Sequence, residues 1–130
     1  MVIIDKQSKK PFYEQVVLGI KEEILQGLLV PGEKIPSVRE MASQLMMNPN
    51  TISKAYKSLE EQGVITTVQG RGTFVKELVV SRGDEEKIAK IKGKMLDLVI
   101  EARYLNVELP EMITWLSETA DDLGGTKNES

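Results

Sequence analysis

The stretch IPSVREMASQLMMNPNTISKAYKSLEEQGVITTVQGRG, residues 35–72, decides the fold. Near its start Ser37 precedes Glu40 by three residues, which is the spacing of a capping box at the beginning of a helix. Apolar residues then recur at helical intervals, and they are Val38, Met41, Ala42 and Leu45. The pattern stops at Met46 and Met47. We therefore predict a short helix that begins after Ser37.

A second helix is predicted to follow at once. Asn48 suits a helix N-cap, and Pro49 suits the first helical position. The apolar stripe continues at Ile52, Ala55, Tyr56 and Leu59. Gly63 can end the helix in a left-handed conformation. Two short helices joined by a tight turn are typical of a helix-turn-helix, although an ordinary helical hairpin in a small bundle fits these two helices equally well.

The predicted solvent side of the second helix is rich in amides, hydroxyls and lysines. Its members are Asn50, Thr51, Ser53, Lys54, Lys57 and Ser58, and no acid occurs before Glu60. Such groups can bind base edges and phosphates in a major groove. The backbone N–H groups at a helix N-terminus also suit a phosphate. The alternative is a solvated helix face that binds nothing.

Two β-type runs, at residues 64–68 and 73–75, flank Gln69, Gly70, Arg71 and Gly72. The glycines permit a tight hairpin with Arg71 at its tip. A hairpin directly after the second helix makes a winged helix-turn-helix, and a tip arginine can enter a minor groove. An incidental arginine in a loop is the alternative, and the two preceding helices favour the wing.

Several separated motifs resemble the GntR family of bacterial transcription regulators. They are PGEKIPSVREMA at 31–42, NPNTISKAY at 48–56, Leu59-Glu60, Gly63 and GRGTFV at 70–75. The NPNT…KAY form and the short C-terminal part are similar to the YtrA subfamily. The match covers residues 3–76 closely. The resemblance implies a winged-helix regulator, usually a homodimeric repressor.

The resemblance also implies that Arg39 contacts DNA. The backbone N–H groups of Ser37 and Val38 lie in the same first turn and are expected to meet phosphate with it. Many relatives carry arginines where this chain has Pro49 and Ser53, so recognition is expected to rest more on other groups. The complete set of predicted DNA-binding residues is Ser37, Arg39, Asn48, Asn50, Thr51, Ser53, Lys54, Gln69, Gly70, Arg71 and Gly72. Tyr56 is expected in the core, with a phosphate contact of its hydroxyl as a weaker alternative.

Composition limits the other function classes. The chain has no histidine and no cysteine, so the commonest general base, the commonest metal ligand and thiol chemistry are all missing. No nucleophile–base pair or metal-ligand cluster is visible, and we predict neither an enzyme nor a cofactor or metal site. No apolar run is long enough to span a membrane, and no signal peptide is present. We therefore expect a cytoplasmic protein.

The net charge of −3 is unevenly distributed. Residues 1–76 carry 10 basic and 8 acidic side chains, a balance of +2, whereas residues 77–130 carry 7 and 12, a balance of −5. The acidic excess therefore lies where it need not face DNA. A balance of +2 predicts moderate affinity that falls steeply with salt.

The N-terminal segments are expected to complete the first domain. Residues 2–5 are short and apolar, so they either add a strand or pack on a partner subunit. Residues 6–10 carry three lysines and form a polar arm that either approaches phosphates or is simply solvated. Pro11 opens a helix that Gly27 stops, with a core stripe of Tyr13, Val16, Val17, Ile20 and Ile24. Residues 28–35 are interpreted as a connecting turn.

Two further helices are predicted after the wing, the first capped by Asp84 and the second opened by Pro110 and ended by Gly124-Gly125. In the first, Ile88, Ile91, Met95, Leu98, Ala102 and Leu105 form a heptad seam, the pattern of a coiled-coil contact. Two such helices cannot form a core alone, and a second copy is the expected partner. Packing onto the same subunit's first domain is the alternative. Residues 126–130 are expected to be disordered.

The predicted fold class is mainly α with a small β-hairpin. Residues 1–76 form a winged helix-turn-helix domain, and residues 77–130 form a two-helix dimerisation region. We predict a homodimeric repressor that binds a two-fold symmetric double-stranded DNA operator. The alternative is a winged-helix protein-interaction module without specific DNA binding. A small-molecule effector at the dimer interface stays open, and no residues are assigned to it.

Overall fold

The computed structural model describes residues 2–77 and 85–123, which fall into two compact units that divide after Leu78. The first unit contains helices α1 (Phe12–Leu25), α2 (Val38–Leu45) and α3 (Pro49–Glu61) and strands β1 (Lys34–Ile35), β2 (Ile65–Val68) and β3 (Gly72–Val75). The second contains α4 (Glu85–Tyr104) and α5 (Leu109–Asp122). The predicted fold class, helices with a small antiparallel hairpin, is confirmed.

The sheet has one strand more than predicted. Its order is β1-β3-β2 with every neighbour antiparallel, and β1 pairs with β3 through Lys34 opposite Phe74 and Ile35 opposite Thr73. The interpretation of residues 28–35 as a connecting turn is therefore wrong for Lys34 and Ile35. A strand of two residues shows no alternation, so only its pairing with a partner distant in sequence defines it.

The core of the first unit lies where the three helices meet the sheet. The largest fully buried side chains are Val16, Ile20, Ile52, Leu59 and Ile65. Helix α3 packs against α1, α2 and β2, so its apolar stripe is the centre of the unit. The predicted stripe of α1 lies on its buried side, with Val16, Val17 and Ile20 buried.

The predicted ends of α2 and α3 are confirmed. Ser37 and Glu40 form the complete capping box at the start of α2. Asn48 caps α3 by accepting from the backbone N–H of Asn50 at 2.8 Å. Gly63 is left-handed after α3, with φ 76°. Met46, at φ 56°, takes the left-handed conformation that ends α2 and turns the chain into α3.

The N-terminal segment packs on α1 rather than adding a strand. Val2 is buried, and a Cβ added at Gly19 would lie only 2.9 Å from a methyl group of Val2. The polar loop that follows is held by the Gln15 carboxamide. Gln15 accepts from the Asp5 backbone N–H at 2.8 Å and donates to the carbonyl oxygens of Asp5 and Lys10, each at 3.0 Å.

Helices α4 and α5 expose most of their apolar side chains. Among the described residues of the second unit, Ala102 is the one that is buried. Asn106, with φ 61°, follows the end of α4 in a left-handed conformation, and a capping box between Glu108 and Glu111 begins α5. The predicted cap at Asp84, the stop at Gly124-Gly125 and the disordered tail lie outside the described residues. Among the described residues, none of the helices α1 to α5 is long and apolar enough to cross a membrane.

Tyr56 joins α3 to the segment before α2. Its ring is buried, and its hydroxyl donates to the Pro36 carbonyl oxygen at 2.6 Å. The weaker alternative, in which this hydroxyl donates to a phosphate, is therefore wrong, because the hydroxyl proton is donated to Pro36 inside the domain. Burial, and secondly the nearby Glu40 carboxylate, raise the pKa of Tyr56 above its ordinary value.

We expect Tyr56→Phe to lower the free energy of unfolding by about 0.5–1.5 kcal/mol, because a part-buried hydrogen bond is lost. The raised pKa adds a pH signature. The contribution of Tyr56 is complete below its unfolded pKa of about 10 and is lost as pH rises above that value, because the unfolded chain ionises first. Urea unfolding between pH 8 and 11 should show a steeper alkaline loss of stability in the parent than in Tyr56→Phe. Equal slopes would contradict the assignment.

Candidate nucleic-acid interface

The exposed side of α3 carries the predicted recognition residues. Asn50, Ser53 and Lys54 are exposed and Thr51 is half-buried, while the apolar stripe faces the core. No acidic residue occurs in the first turn of α3. Asn48 uses its side-chain oxygen as the helix cap, so its contribution to a ligand is its side-chain N–H₂ group. The helix thus presents donors and a cation on one continuous surface.

The start of α2 carries Ser37 and the exposed Arg39. The Ser37 hydroxyl oxygen accepts from the Glu40 backbone N–H at 3.1 Å, and the Ser37 backbone N–H donates to the Glu40 carboxylate at 2.9 Å. This backbone donor is occupied by Glu40 in the DNA-free domain, and the contact of Ser37 with DNA stays a prediction. The guanidinium of Arg39 is the strongest phosphate-binding group of this turn.

The capping carboxylate sets the local charge. Hydrogen bonds from Ser37 lower the pKa of the Glu40 carboxyl, burial opposes this, and the positive charge of Lys34 lowers it further. Glu40 is therefore an anion at neutral pH. The Glu40 anion disfavours a phosphate directly at the start of α2, and the positive charge of Lys34 partly offsets this effect.

The wing is a short hairpin with an exposed tip. Gly70 has φ 81° and Gly72 has φ 127°, and the Arg71 backbone N–H donates to the Val68 carbonyl oxygen at 2.9 Å. Gln69 and Arg71 are exposed at the tip. The Glu60 carboxylate of α3 accepts from the Thr67 backbone N–H at 3.0 Å, which fixes the hairpin to the recognition helix.

A cleft brings the wing together with the start of α2. Its lining comprises Lys34 and Ile35 of β1, Ser37 and Glu40 at the start of α2, and residues 67–73 of the wing. Of the predicted residues, this cleft unites Ser37 with Gln69, Gly70, Arg71 and Gly72. Arg39, Asn48 and the predicted residues of α3 do not line this cleft.

Lys34 is a site residue that the sequence did not reveal. A Cβ added at Gly72 would lie 2.6 Å from Lys34 Cε and 3.3 Å from its Nζ, so the lysine stem crosses the wing at this glycine. Sequence periodicity gives no signal for Lys34, because its position depends on the pairing of the two-residue strand β1 with β3. Gly72 is favoured here by its positive φ of 127°, a conformation that other residues rarely adopt.

Tyr13 is a second residue near the interface that the sequence did not assign to it. The Lys54 ammonium lies over the Tyr13 ring, 4.1 Å from its centroid. Tyr13 itself is half-buried and packs against the core, in agreement with the predicted stripe of α1. Helical spacing placed Tyr13 on the inner face but could not show which side chain of another helix covers its ring.

Comparison with known proteins identifies relatives with this architecture. The family model of bacterial regulatory proteins of the gntR family matches residues 12–75. The HTH-type transcriptional repressor YtrA of Bacillus subtilis (strain 168) is 45% identical over 130 residues, which are 99% of this chain and 100% of the relative.

Solved structures agree with the sequence relatives. The transcriptional antiterminator from Listeria monocytogenes EGD-e is 41% identical and has a TM-score of 0.88, with 95% of this chain and 92% of that chain covered. The DNA-binding domain of AraR, solved in complex with the operator ORE1, is 37% identical with a TM-score of 0.50, covering 58% of this chain and 92% of that chain. The chain therefore belongs to the gntR family of bacterial regulatory proteins, and it is a DNA-binding transcription regulator with a winged helix.

Proposed function

We propose that this protein represses transcription in the cytoplasm as a homodimer bound to a two-fold symmetric operator. The observation that carries the proposal is the exposed face of α3, which presents amides, hydroxyls and lysines without an acid before Glu60. A face built to dock another protein would be apolar or mixed in charge. The names of the relatives, a repressor and an operator-bound domain, support the same reading.

The interface residues divide into two roles. Asn50, Thr51 and Ser53 at the start of α3 are suited to base edges in the major groove, because amides and hydroxyls can donate and accept hydrogen bonds there. Asn48 and Lys54 flank them as phosphate-binding groups. Arg39 of α2 binds a backbone phosphate, which fixes the protein's position without reading sequence.

The wing adds a third contact. Arg71 at the tip enters the adjacent minor groove, and Gln69 and the open backbone at Gly70 and Gly72 permit close approach to the sugar–phosphate strands. Lys34, whose ammonium lies beside Gly72, keeps the cleft between the wing and α2 attractive to phosphate despite the Glu40 carboxylate.

The second unit supplies the dimer contact. An apolar groove runs between α4 and α5, and its lining includes Met95, Leu98, Ala102, Met112 and Leu116. Leu98 and Leu116 are both 57% exposed and Leu105 is 76% exposed, so more than half of the surface of each residue is uncovered within one chain. Exposed apolar area of this kind favours a protein partner over water.

A second copy of the same unit fits this surface best. The heptad spacing along α4 is typical of a helix that packs beside another helix of the same kind. An α4 of 20 residues is about 30 Å long, which suffices for a standard interface of about 800 Å² per partner when α5 contributes as well. Two-fold pairing would then place two recognition helices on successive major grooves.

Loss of either arginine should weaken DNA binding without unfolding the protein. We expect Arg39→Ala and Arg71→Ala each to lower affinity about tenfold or more, because each removes a charged hydrogen bond to DNA. Fluorescence anisotropy with an operator selected from genomic fragments measures this, and thermal melting checks folding. The control is Lys90→Ala, an exposed lysine of α4.

Unchanged affinity in both arginine variants would contradict the site assignment. If the parent protein binds the selected DNA no better than a scrambled duplex, the proposal of an operator-binding repressor fails. The alternative, a winged-helix module that binds another protein, then takes its place.

Introducing a charge into the groove should separate the subunits. We expect the parent to sediment as a dimer at micromolar concentration and Leu98→Glu to sediment as a monomer, because a carboxylate cannot be buried there without a partner. Ala89→Glu, which adds the same group at an exposed position of α4, is the control and should stay dimeric. A monomeric parent, or a dimeric Leu98→Glu, would contradict dimerisation through this groove.

A further inference from the structure

The contact between Lys54 and Tyr13 links the recognition helix to α1. The Lys54 ammonium lies 4.1 Å from the centroid of the Tyr13 ring, within the distance at which the negative face of an aromatic ring attracts a cation. Lys54 is exposed, whereas Tyr13 is half-buried and packs against the core. Core packing thus fixes the position of the Tyr13 ring, and the ring in turn restricts the long Lys54 side chain.

The start of α1 is itself well anchored. The Gln15 backbone N–H donates to the Pro11 carbonyl oxygen at 3.1 Å, and the Gln15 carboxamide fixes the preceding loop through Asp5 and Lys10. Tyr13 lies between Pro11 and Gln15, so its backbone is fixed on both sides. Because its backbone is anchored, the Tyr13 ring gives the Lys54 ammonium a defined position.

The type of group that contacts the Lys54 ammonium affects how well this lysine can bind a phosphate. A carboxylate would also hold Lys54, but it would neutralise the cation and repel a phosphate. An aromatic ring holds the ammonium and leaves its full charge in place. The acid-free part of α3 is consistent with this, because residues 49–59 contain two lysines and no carboxylate.

We propose that Tyr13 is a positioning residue for DNA binding, whose ring holds the Lys54 ammonium ready for a backbone phosphate beside the major groove. The inference rests on the proposed function. A lysine loses much rotamer freedom when it is fixed at an interface, and a ring that already restricts it in the free protein reduces that loss. Tyr13 therefore raises affinity without contacting a base.

The contact is first tested in the free protein. In ¹H–¹³C NMR spectra of the parent, the Lys54 ε-methylene protons should be shifted upfield by the ring. The shift should persist in Tyr13→Phe and vanish in Tyr13→Leu. An ε-methylene signal at the same position in Tyr13→Leu as in the parent would overturn the inference without any reference to DNA.

Its role is then tested by a double-mutant cycle with the selected operator. Tyr13→Leu should weaken binding about two- to tenfold per recognition helix, the range expected when one flexible side chain must be newly ordered. Tyr13→Phe should bind like the parent, and Tyr13→Leu should have no further effect in a Lys54→Ala background. The salt dependence separates the two roles. Lys54→Ala should make the negative slope of log K against log salt shallower by about 0.9 per lost phosphate contact, whereas Tyr13→Leu should leave the slope unchanged.

Each other outcome overturns the inference in a recognisable way. Equal weakening by Tyr13→Phe and Tyr13→Leu would show a direct contact of the hydroxyl instead. Additive losses in the cycle would show that Tyr13 acts only through general packing, and tighter binding by Tyr13→Leu would show that the ring withholds the lysine. If the parent itself does not prefer the operator, the proposed function fails first, and the NMR shift still reports whether the contact exists.

Discussion

The burial of one side of α3 is the constraint on which the rest of the structure depends. Ile52, Ala55, Tyr56 and Leu59 are all 5% exposed or less, and they fix the helix against α1, α2 and the hairpin. A helix buried along one stripe must expose the residues between, so the same packing that forms the core aims Asn50, Ser53 and Lys54 outward. The buried side of α3 thus stabilises the domain, and its exposed side carries the residues proposed to bind DNA.

Much of this arrangement could be predicted from the sequence because it is encoded locally. The capping box at Ser37, the cap at Asn48 and the left-handed Gly63 are short-range signals, and the structure contains all three. The family assignment likewise follows from motifs of a few residues. What the sequence did not show depends on pairing between distant segments: β1, the passage of Lys34 across Gly72, and the use of the Tyr56 hydroxyl by Pro36.

The candidate site was predictable to the same degree. Residues on a helix face or in a hairpin tip follow from periodicity, so the list of exposed polar groups could be made in advance. The charge environment of these groups could not be predicted, because Lys34 comes near the Glu40 carboxylate only once β1 has paired with the wing. The apolar surface of α4 is also wider than its heptad seam, since Leu96, Val99 and Ile100 are at least 36% exposed.

The central claim is that two copies of this domain bind DNA in a two-fold arrangement, and hydroxyl-radical footprinting of the full chain on its selected operator tests it most directly. The account predicts two equivalent protected patches related by a two-fold axis, with centres about 34 Å apart along the duplex or a multiple of that distance. A single protected patch, or uniform protection that a scrambled duplex shows equally, would contradict it.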